Sequence, residues 1–332
     1  MFCLVFNSCK SNTSSDTTGN YEKGLEYLNQ SKFKEAIIEF DKEIQNSQNN
    51  DQAYYNRGIA KSRLNDFENA INDYNQALKL NPKYYLAYFA KANSLKKLNR
   101  IDEALDNYDL SIQVNPKYEK AYFNRANTYA DLGKYELSIK DYLKIIELDP
   151  ENYEYYYNLG NVYKKNNQFK DAINSYKKTI EKNPKFSSAY NNLATTLRGQ
   201  EKNYSDALKY INEAIKLEQN LDYYNNRGNI YRSMGDCRNA IKDYTLIIEK
   251  NPKHSNAYYG RALYNEELNL NNAAIEDLSK VLEIEPNNSV ALMNRGQIFV
   301  NLSKFKEACE DFEKSSWLGE IDAKELILKY CK

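Results

Sequence analysis

All six prolines of the 332-residue chain fall at one phase of a 34-residue period. They are separated by 34, 34, 34, 68 and 34 residues, at Pro82, Pro116, Pro150, Pro184, Pro252 and Pro286. A unit of this length cannot bury its apolar face alone, so each copy has to pack against its neighbours. The period therefore predicts an array of repeated structural units rather than one compact core.

Other positions of the period carry the residues that two packed helices need. With proline at position 32, position 8 is glycine or alanine in all nine units. Position 20 is small and holds Ala36, Ala70, Ala104, Ser138, Ala172, Ala207, Ala240, Ala274 and Ala308. Position 24 is large and apolar and holds Phe40, Tyr74, Tyr108, Tyr142, Tyr176, Ile211, Tyr244, Leu278 and Phe312. Small residues let two helices approach closely, and the side chain at position 24 fills the space beside them.

These positions resemble the tetratricopeptide-repeat family over nearly the whole chain. The resemblance implies an all-α fold, an α-solenoid of nine helix-turn-helix units in a right-handed superhelix with a C-terminal capping helix. The nine units would be 17–50, 51–84, 85–118, 119–152, 153–186, 187–220, 221–254, 255–288 and 289–322. Residues 1–16 would be a leader and polar tether. Residues 323–332 would cap the array, opened by a capping box from Asp322 to Glu325.

The sixth repeat departs from the period. Its alanine at position 20 comes one residue late, at Ala207, and the following link is one residue shorter and lacks proline. One irregular unit lowers local stability in a solenoid, because each unit is held by its nearest neighbours. We therefore expect a change of twist or a hinge near 199–222, dividing 17–186 from 221–322.

Charge and composition exclude several function classes. Lys and Arg number 46 against 46 Asp and Glu, which disfavours a protein whose main role is to bind nucleic acid. His254 is the only histidine, so a histidine-based metal site or catalytic triad is disfavoured. The sequence has no phosphate-binding loop, nucleophile elbow or metal motif, and we predict no catalytic residues, no metal and no cofactor.

A row of basic residues at position 7 would suggest nucleic-acid binding if it stood alone. Its members are Lys23, Arg57, Lys91, Arg125, Arg227, Arg261 and Arg295. Position 23 of the same units holds Glu39, Asp73, Asn107, Asp141, Asp243, Asp277 and Asp311. Since acid and base vary together within a unit, we expect ion pairs inside the repeats and no nucleic-acid partner.

An asparagine row at positions 6 and 9 marks the candidate binding site. It comprises Asn56, Asn93, Asn124, Asn127, Asn158, Asn161, Asn192, Asn226, Asn229 and Asn294. In the family that the chain resembles, this face of the first helix lines the concave groove. Amides there can hydrogen-bond an extended peptide backbone. The alternative is that they bridge adjacent helices, and the two interpretations are compatible.

The N-terminus resembles the end of a bacterial lipoprotein signal. An apolar stretch leads to Ser8 and Cys9, and a tether rich in Ser, Thr and Asn follows. The stretch is short and no basic region precedes it, which a start codon assigned too far downstream would explain. We expect lipidation at Cys9. The alternative is a frayed leader on a cytoplasmic protein.

The remaining cysteines are Cys3, Cys237, Cys309 and Cys331. None has metal-ligand spacing, and Cys237 and Cys309 are expected to be small core residues. Nothing in the spacing indicates a disulfide framework.

Together these features predict a non-catalytic scaffold that binds protein or peptide segments in its groove, tethered to the bacterial cell envelope through Cys9. A cytoplasmic adaptor of the same fold is the alternative, and an enzyme-associated or cell-wall-active module is a third class. Any membrane association would come from the lipid anchor alone.

Overall fold

The computed structural model describes residues 19–331, which form nineteen α-helices and one short π-helix. The residues described contain no β-strand. The predicted leader with Cys3 and Cys9 lies outside this range. The chain divides into two compact units, and the division falls between Leu148 and Asp149.

The first unit contains four helix pairs, in which each helix packs against the next along the chain. We call the first helix of a pair its A helix and the second its B helix. Their bounds are α1 Asn20–Asn29, α2 Phe33–Asn46, α3 Asp51–Arg63, α4 Phe67–Leu80, α5 Tyr85–Lys97, α6 Ile101–Val114, α7 Glu119–Asp131 and α8 Tyr135–Leu148.

The second unit contains five further pairs and a final single helix. The bounds are α9 Tyr153–Lys165, α10 Phe169–Lys182, α11 Ser187–Thr196, α12 Tyr204–Leu217, α13 Leu221–Ser233, α14 Cys237–Lys250, α15 Ser255–Glu267, α16 Asn271–Ile284, α17 Ser289–Asn301, α18 Phe305–Trp317 and α19 Asp322–Tyr330. The predicted all-α solenoid of nine helix pairs with a terminal helix is confirmed.

The turn inside each repeat uses a left-handed residue at position 15. Its φ lies between 50° and 74° in all nine repeats, at Ser31, Asn65, Asn99, Gly133, Asn167, Lys202, Gly235, Asn269 and Ser303. Glycine and asparagine adopt this conformation at little cost, which explains why they dominate the position. The turn fixes the antiparallel arrangement of the two helices.

The link between repeats is built on an Asn-Pro-Lys motif. Asn81 ends α4, and its side-chain oxygen accepts a hydrogen bond of 3.1 Å from the backbone N–H of Lys83. This Asx turn and the fixed φ of Pro82 direct the chain into the next A helix. The same bond recurs at Asn115, Asn183 and Asn251.

The core follows the predicted small and large positions. The residues at position 20 are fully buried in every repeat, and so are the rings of Tyr74, Tyr108, Tyr142 and Tyr176. A Cβ added at Gly58 would lie 2.6 Å from Cε1 of Tyr74, so position 8 sets how closely the ring approaches the A helix.

The extra residue of repeat six forms a π-helix at Leu197–Glu201, directly after α11. The N–H of Lys202 bonds the carbonyl of Leu197, which is the wider i to i+5 pattern. Asn203 then caps α12 by accepting from the N–H of Asp206. The irregularity lies wholly inside the second unit, and the expected hinge remains a prediction.

Two expectations about the C-terminal end are wrong. Asp322 is the first residue of α19 rather than its cap, and the capping residue Ile321 makes no side-chain bond, so the capping box does not form. Cys309 is half-buried rather than a core residue, and it forms a disulfide with Cys331 across a Cα–Cα distance of 5.6 Å, where the spacing indicated no disulfide. Ala323 is buried, and Tyr330 stacks on Phe305 at 6.4 Å, so α19 packs on repeat nine as the predicted capping helix.

Cys237 behaves as expected and lies buried against Ala240, Tyr244 and Tyr264. Burial raises the pKa of its thiol to about 11, and the hydrogen bond to Glu267 acts in the same direction. Among residues 19–331, no group of His, Cys, Asp and Glu is arranged to hold a metal ion. None of the helices in this range is long and apolar enough to span a bilayer.

Candidate functional site

The predicted asparagines lie on one face of the A helices, which we call the A-helix face, formed by positions 5, 6, 9, 12 and 13. In the first unit, Asn93 on α5 is the centre of a small network. Its Oδ1 accepts from the hydroxyl of Tyr108 at 2.7 Å and from Nδ2 of Asn124 at 2.7 Å. The next repeat copies half of this pattern, because Tyr142 donates to Asn127 at 2.7 Å.

The second unit repeats the network around Asn161. Its Oδ1 accepts from Tyr176 at 2.9 Å and from Nδ2 of Asn192 at 3.0 Å. The same Nδ2 of Asn192 lies 3.1 Å from the hydroxyl of Tyr157. Position 9 therefore ties the core tyrosine of its own repeat to the amide of the next repeat.

The other predicted asparagines have simpler contacts. Asn56 donates to Tyr21, Asn226 to Asn191 and Asn294 to Tyr259, each joining two repeats. Asn229 accepts from Tyr244, and Asn158 donates to the carbonyl of Glu154 in its own helix. All ten side chains are half-buried. Seven of the ten therefore bridge repeats in the structure, and Asn127, Asn158 and Asn229 bond within their own repeat. The role of the ten in binding a ligand stays a prediction.

The asparagine row is interrupted in repeats two and three. Position 9 is Ile59, where four other repeats have asparagine, and position 6 is Ala90, where six other repeats have asparagine. Without an amide at position 9, the buried hydroxyl of Tyr74 lies near Ser62 and Ser94 but hydrogen-bonds neither. Ile59 and Ala90 therefore give the A-helix face an apolar patch at this point.

A groove of about 870 Å³ opens at the interruption, and we call it the first-unit groove. The rings of Tyr55, Phe89 and Tyr118 form part of its wall. Phe89 and Tyr118 pack edge to face at 5.1 Å, and Tyr55 packs against Tyr84 at 4.8 Å. Its lining also includes Ile59, Ala90, Asn93, Asn124, Asn127, Arg63, Lys96 and Lys97. The groove thus combines an apolar surface, three predicted amides and three cations.

The rings at position 5 pack on the core, as expected for helix packing. Tyr55, Phe89 and Tyr157 each lie 6.1 Å from the position-24 ring of their own repeat. Burial raises the pKa of Tyr55 to about 12, so its hydroxyl is neutral at physiological pH.

The five predicted arginine–aspartate pairs are confirmed. Nη2 of each arginine lies 2.6 to 2.8 Å from its aspartate, in Arg57–Asp73, Arg125–Asp141, Arg227–Asp243, Arg261–Asp277 and Arg295–Asp311. Nε makes a second bond to the same carboxylate in every case. The hydrogen bonds that Arg227 donates to Asp243 raise the pKa of Arg227, and this effect outweighs that of burial.

These arginines have a second role that the pairing of charges within a repeat did not predict. Nη1 of each one bonds a residue sixteen or fifteen positions earlier, in the B helix of the preceding repeat. The acceptors are Asp41, Asp109, Asn212, Thr245 and Ser279. All five acceptors occupy position 25, allowing for the one-residue slip, and carry a side-chain oxygen. That recurrence was a readable signal of an inter-repeat bond.

Family models agree with the repeat pattern. Models described as TPR repeat or Tetratricopeptide repeat together cover about two thirds of the chain. The matched residues are 52–84, 73–106, 92–133, 126–167, 153–186, 175–209 and 225–289.

Two curated relatives match short stretches. The chain is 42% identical over 60 residues to human Tetratricopeptide repeat protein 6, which is 18% of this chain and 12% of that protein. It is 35% identical over 69 residues to the Mitochondrial import receptor subunit TOM70 of Saccharomyces cerevisiae, which is 21% of this chain and 11% of that protein. The matches thus span about a tenth of each relative's length.

Two solved structures have a similar fold. The C-terminal part of a TPR repeat-containing protein from Cytophaga hutchinsonii aligns with a TM-score of 0.57 at 17% identity, covering 82% of this chain and 98% of that one. A tetratricopeptide repeat protein from Parabacteroides merdae aligns with a TM-score of 0.55 at 21% identity, covering 76% and 100%. At these identities the likeness establishes the fold alone.

Proposed function

The chain belongs to the tetratricopeptide-repeat family, and from this premise we propose that it is a non-catalytic scaffold that binds an extended segment of a partner protein on its A-helix face. Proteins of this family bind protein or peptide partners. The observation that carries the proposal is the first-unit groove, where an apolar surface lies beside half-buried amides.

Each kind of group in the groove suits one part of an extended peptide. An asparagine amide has two donors and an acceptor with two lone pairs, so Asn124 keeps hydrogen-bonding capacity after its bond to Asn93. The remaining capacity fits the N–H and C=O groups of a peptide backbone. The surface around Ile59, Ala90 and Phe89 fits an apolar side chain of the same segment.

The test is the affinity of a partner captured from the native host and identified by mass spectrometry. Changing Asn124, Asn158, Asn192 and Asn226 together to Ala should weaken capture. Because Asn124, Asn192 and Asn226 also bridge repeats, Ile59→Arg is the sharper variant: it places a charge on the apolar surface and removes no inter-repeat hydrogen bond. We expect at least a tenfold loss of affinity, since an unpaired charge in an apolar contact costs more than about 1.4 kcal/mol.

The matched control is Leu110→Arg, which puts the same charge on an exposed side chain of helix α6. It should bind the partner as the wild type does. Equal affinity of Ile59→Arg and the wild type, at equal melting temperature, contradicts binding in the first-unit groove.

We also propose that the protein is held at the bacterial cell envelope through a lipid on Cys9. The sequence around Cys9 supports this, and so does the disulfide between Cys309 and Cys331, because disulfides persist in oxidising compartments outside the cytoplasm. Wild-type protein should partition into detergent and Cys9→Ser should not, whereas Cys3→Ser should behave as the wild type. A water-soluble native protein that keeps Met1 contradicts the anchor.

A further inference from the structure

Two cations occupy the same position of the A-helix face in repeats five and six. Lys164 and Arg198 occupy position 12 of successive repeats, and both side chains are half-buried. Nζ of Lys164 lies 3.4 Å from Oγ1 of Thr195, which is one turn before Arg198 on the same face. The Thr195 hydroxyl itself donates to the carbonyl of Asn192 at 3.0 Å. The ammonium group is therefore held at a defined place.

No carboxylate neutralises this pair. Within the range that the structure describes, neither Lys164 nor Arg198 takes part in an ion pair, although cations at the same position elsewhere do. Lys96 lies 3.2 Å from Asp131, and Arg232 lies 3.9 Å from Glu267. The pair in repeats five and six is the exception to a pattern of local neutralisation.

The place of Arg198, unlike that of Lys164 in the regular helix α9, depends on the irregular helix end. Arg198 belongs to the π-helix Leu197–Glu201, which the extra residue of repeat six creates. Burial lowers the pKa of Lys164, and the neighbouring charge of Arg198 lowers it further. Burying a charged group costs free energy, and so does the repulsion between two like charges. An anion placed between the two cations reduces both costs.

We propose that Lys164 and Arg198 bind a carboxylate side chain in an acidic segment of the partner protein. The inference rests on the proposed function, since it gives the chemistry of a segment bound on the A-helix face. The amides of Asn161 and Asn192 next to the cations suit a peptide backbone. A nucleic-acid strand would need a longer row of free cations, and the arginines at position 7 are already bound to aspartates.

The test uses the full chain and two synthetic peptides, one rich in glutamate and the other with every glutamate replaced by glutamine. Binding is measured by fluorescence anisotropy. The wild type should bind the glutamate peptide about tenfold more tightly, because a charge-assisted hydrogen bond is worth on the order of 1.5–3 kcal/mol. The double variant Lys164→Gln with Arg198→Gln should lose this preference.

The matched control is the double variant Lys170→Gln with Lys209→Gln, which removes two exposed cations from the B helices α10 and α12. It should keep the preference. As a second measurement, NMR titration of the lysine side chains should show the pKa of Lys164 rising when the glutamate peptide binds.

Equal affinity for the two peptides overturns the inference, and so does an undiminished preference in the Lys164 and Arg198 variant. Tighter binding of a single-stranded oligonucleotide than of the glutamate peptide overturns it as well. The proposed function would survive each of these results if Ile59→Arg still weakens partner capture. It would fail separately if that variant binds the partner normally.

Discussion

The hydroxyl of Ser138 has no hydrogen-bond partner, although the side chain is fully buried at position 20. The other eight repeats have alanine there. An unsatisfied buried hydroxyl costs about 1–3 kcal/mol, so Ser138→Ala should raise the free energy of unfolding by about 1 kcal/mol. Urea unfolding followed by circular dichroism measures the change.

Ser111 provides the control for this prediction. It is equally buried, but its hydroxyl donates to the backbone carbonyl of Tyr85 at 2.9 Å. Ser111→Ala leaves that carbonyl without its partner and should lower the free energy of unfolding by about 1 kcal/mol. If both alanine variants shift stability in the same direction, the lost hydrogen bond is not what separates these two sites.

Single residues show how far sequence reasoning reaches at this scale. Arg57 and Asp73 were paired correctly because acid and base vary together in the repeat. The bond from Arg57 to Asp41 was missed because the residues that accept at position 25 are aspartate, asparagine, threonine or serine. Each has a side-chain oxygen, but only aspartate is charged. Covariation of charge along the repeats therefore identifies the partner at position 23 but not the one at position 25.

At the scale of the element, the end of α11 should open more readily than the equivalent helix ends. The π-helix Leu197–Glu201 has fewer of the i to i+4 bonds that protect backbone amides. Hydrogen exchange should therefore be faster at Leu197–Glu201 than at the end of α13. A variant that lacks Gln200 has a turn of the usual length and should regain the slower exchange. Protection in repeat six equal to that in repeats three and four would count against a local weak point.

The elements themselves were largely predictable, and the exceptions have physical reasons. Proline, glycine and asparagine at fixed positions set the ends of the helices, since each restricts the backbone locally. The extra residue near Gly199 was visible as a slip in register, but the period does not say whether it enlarges the loop or the helix. The disulfide between Cys309 and Cys331 joins residues 22 apart and depends on how α19 packs, which no spacing rule encodes.

The candidate site was predictable in position but not in detail. The repeat fixed which face carries the ten asparagines. It did not show that Asn93 and Asn161 also bind core tyrosines, because that contact crosses from an A helix to its B helix. The repeat also did not show that a groove opens where Ile59 interrupts the asparagine row.

At the scale of the whole molecule, the buried tyrosines should make the fold sensitive to alkali. Burial raises the pKa of Tyr55 and Tyr108 from the ordinary value of 10 to about 12. The unfolded chain then loses these protons at lower pH than the folded one, so their stabilisation is complete below pH 10 and is lost as pH rises through 12. Each pKa unit corresponds to about 1.4 kcal/mol per tyrosine.

The measurement is tyrosinate absorbance followed together with helicity during an alkaline titration. We expect two classes of tyrosine, with the buried class ionising only as the helices unfold. A single transition near the ordinary value of 10, with helicity intact, would contradict the burial of these hydroxyls.

The bond between Cys309 and Cys331 changes how a mechanical pull on the C-terminal end enters the protein. Force applied beyond Cys331 passes through the sulfur atoms to Cys309, in the first half of α18, and bypasses Tyr330 and the rest of α19. The terminal helix therefore cannot be peeled away turn by turn from that end. A protein-unfolding enzyme that pulls on the C-terminal end would have to extract α18 from its repeat or translocate two segments of the chain side by side.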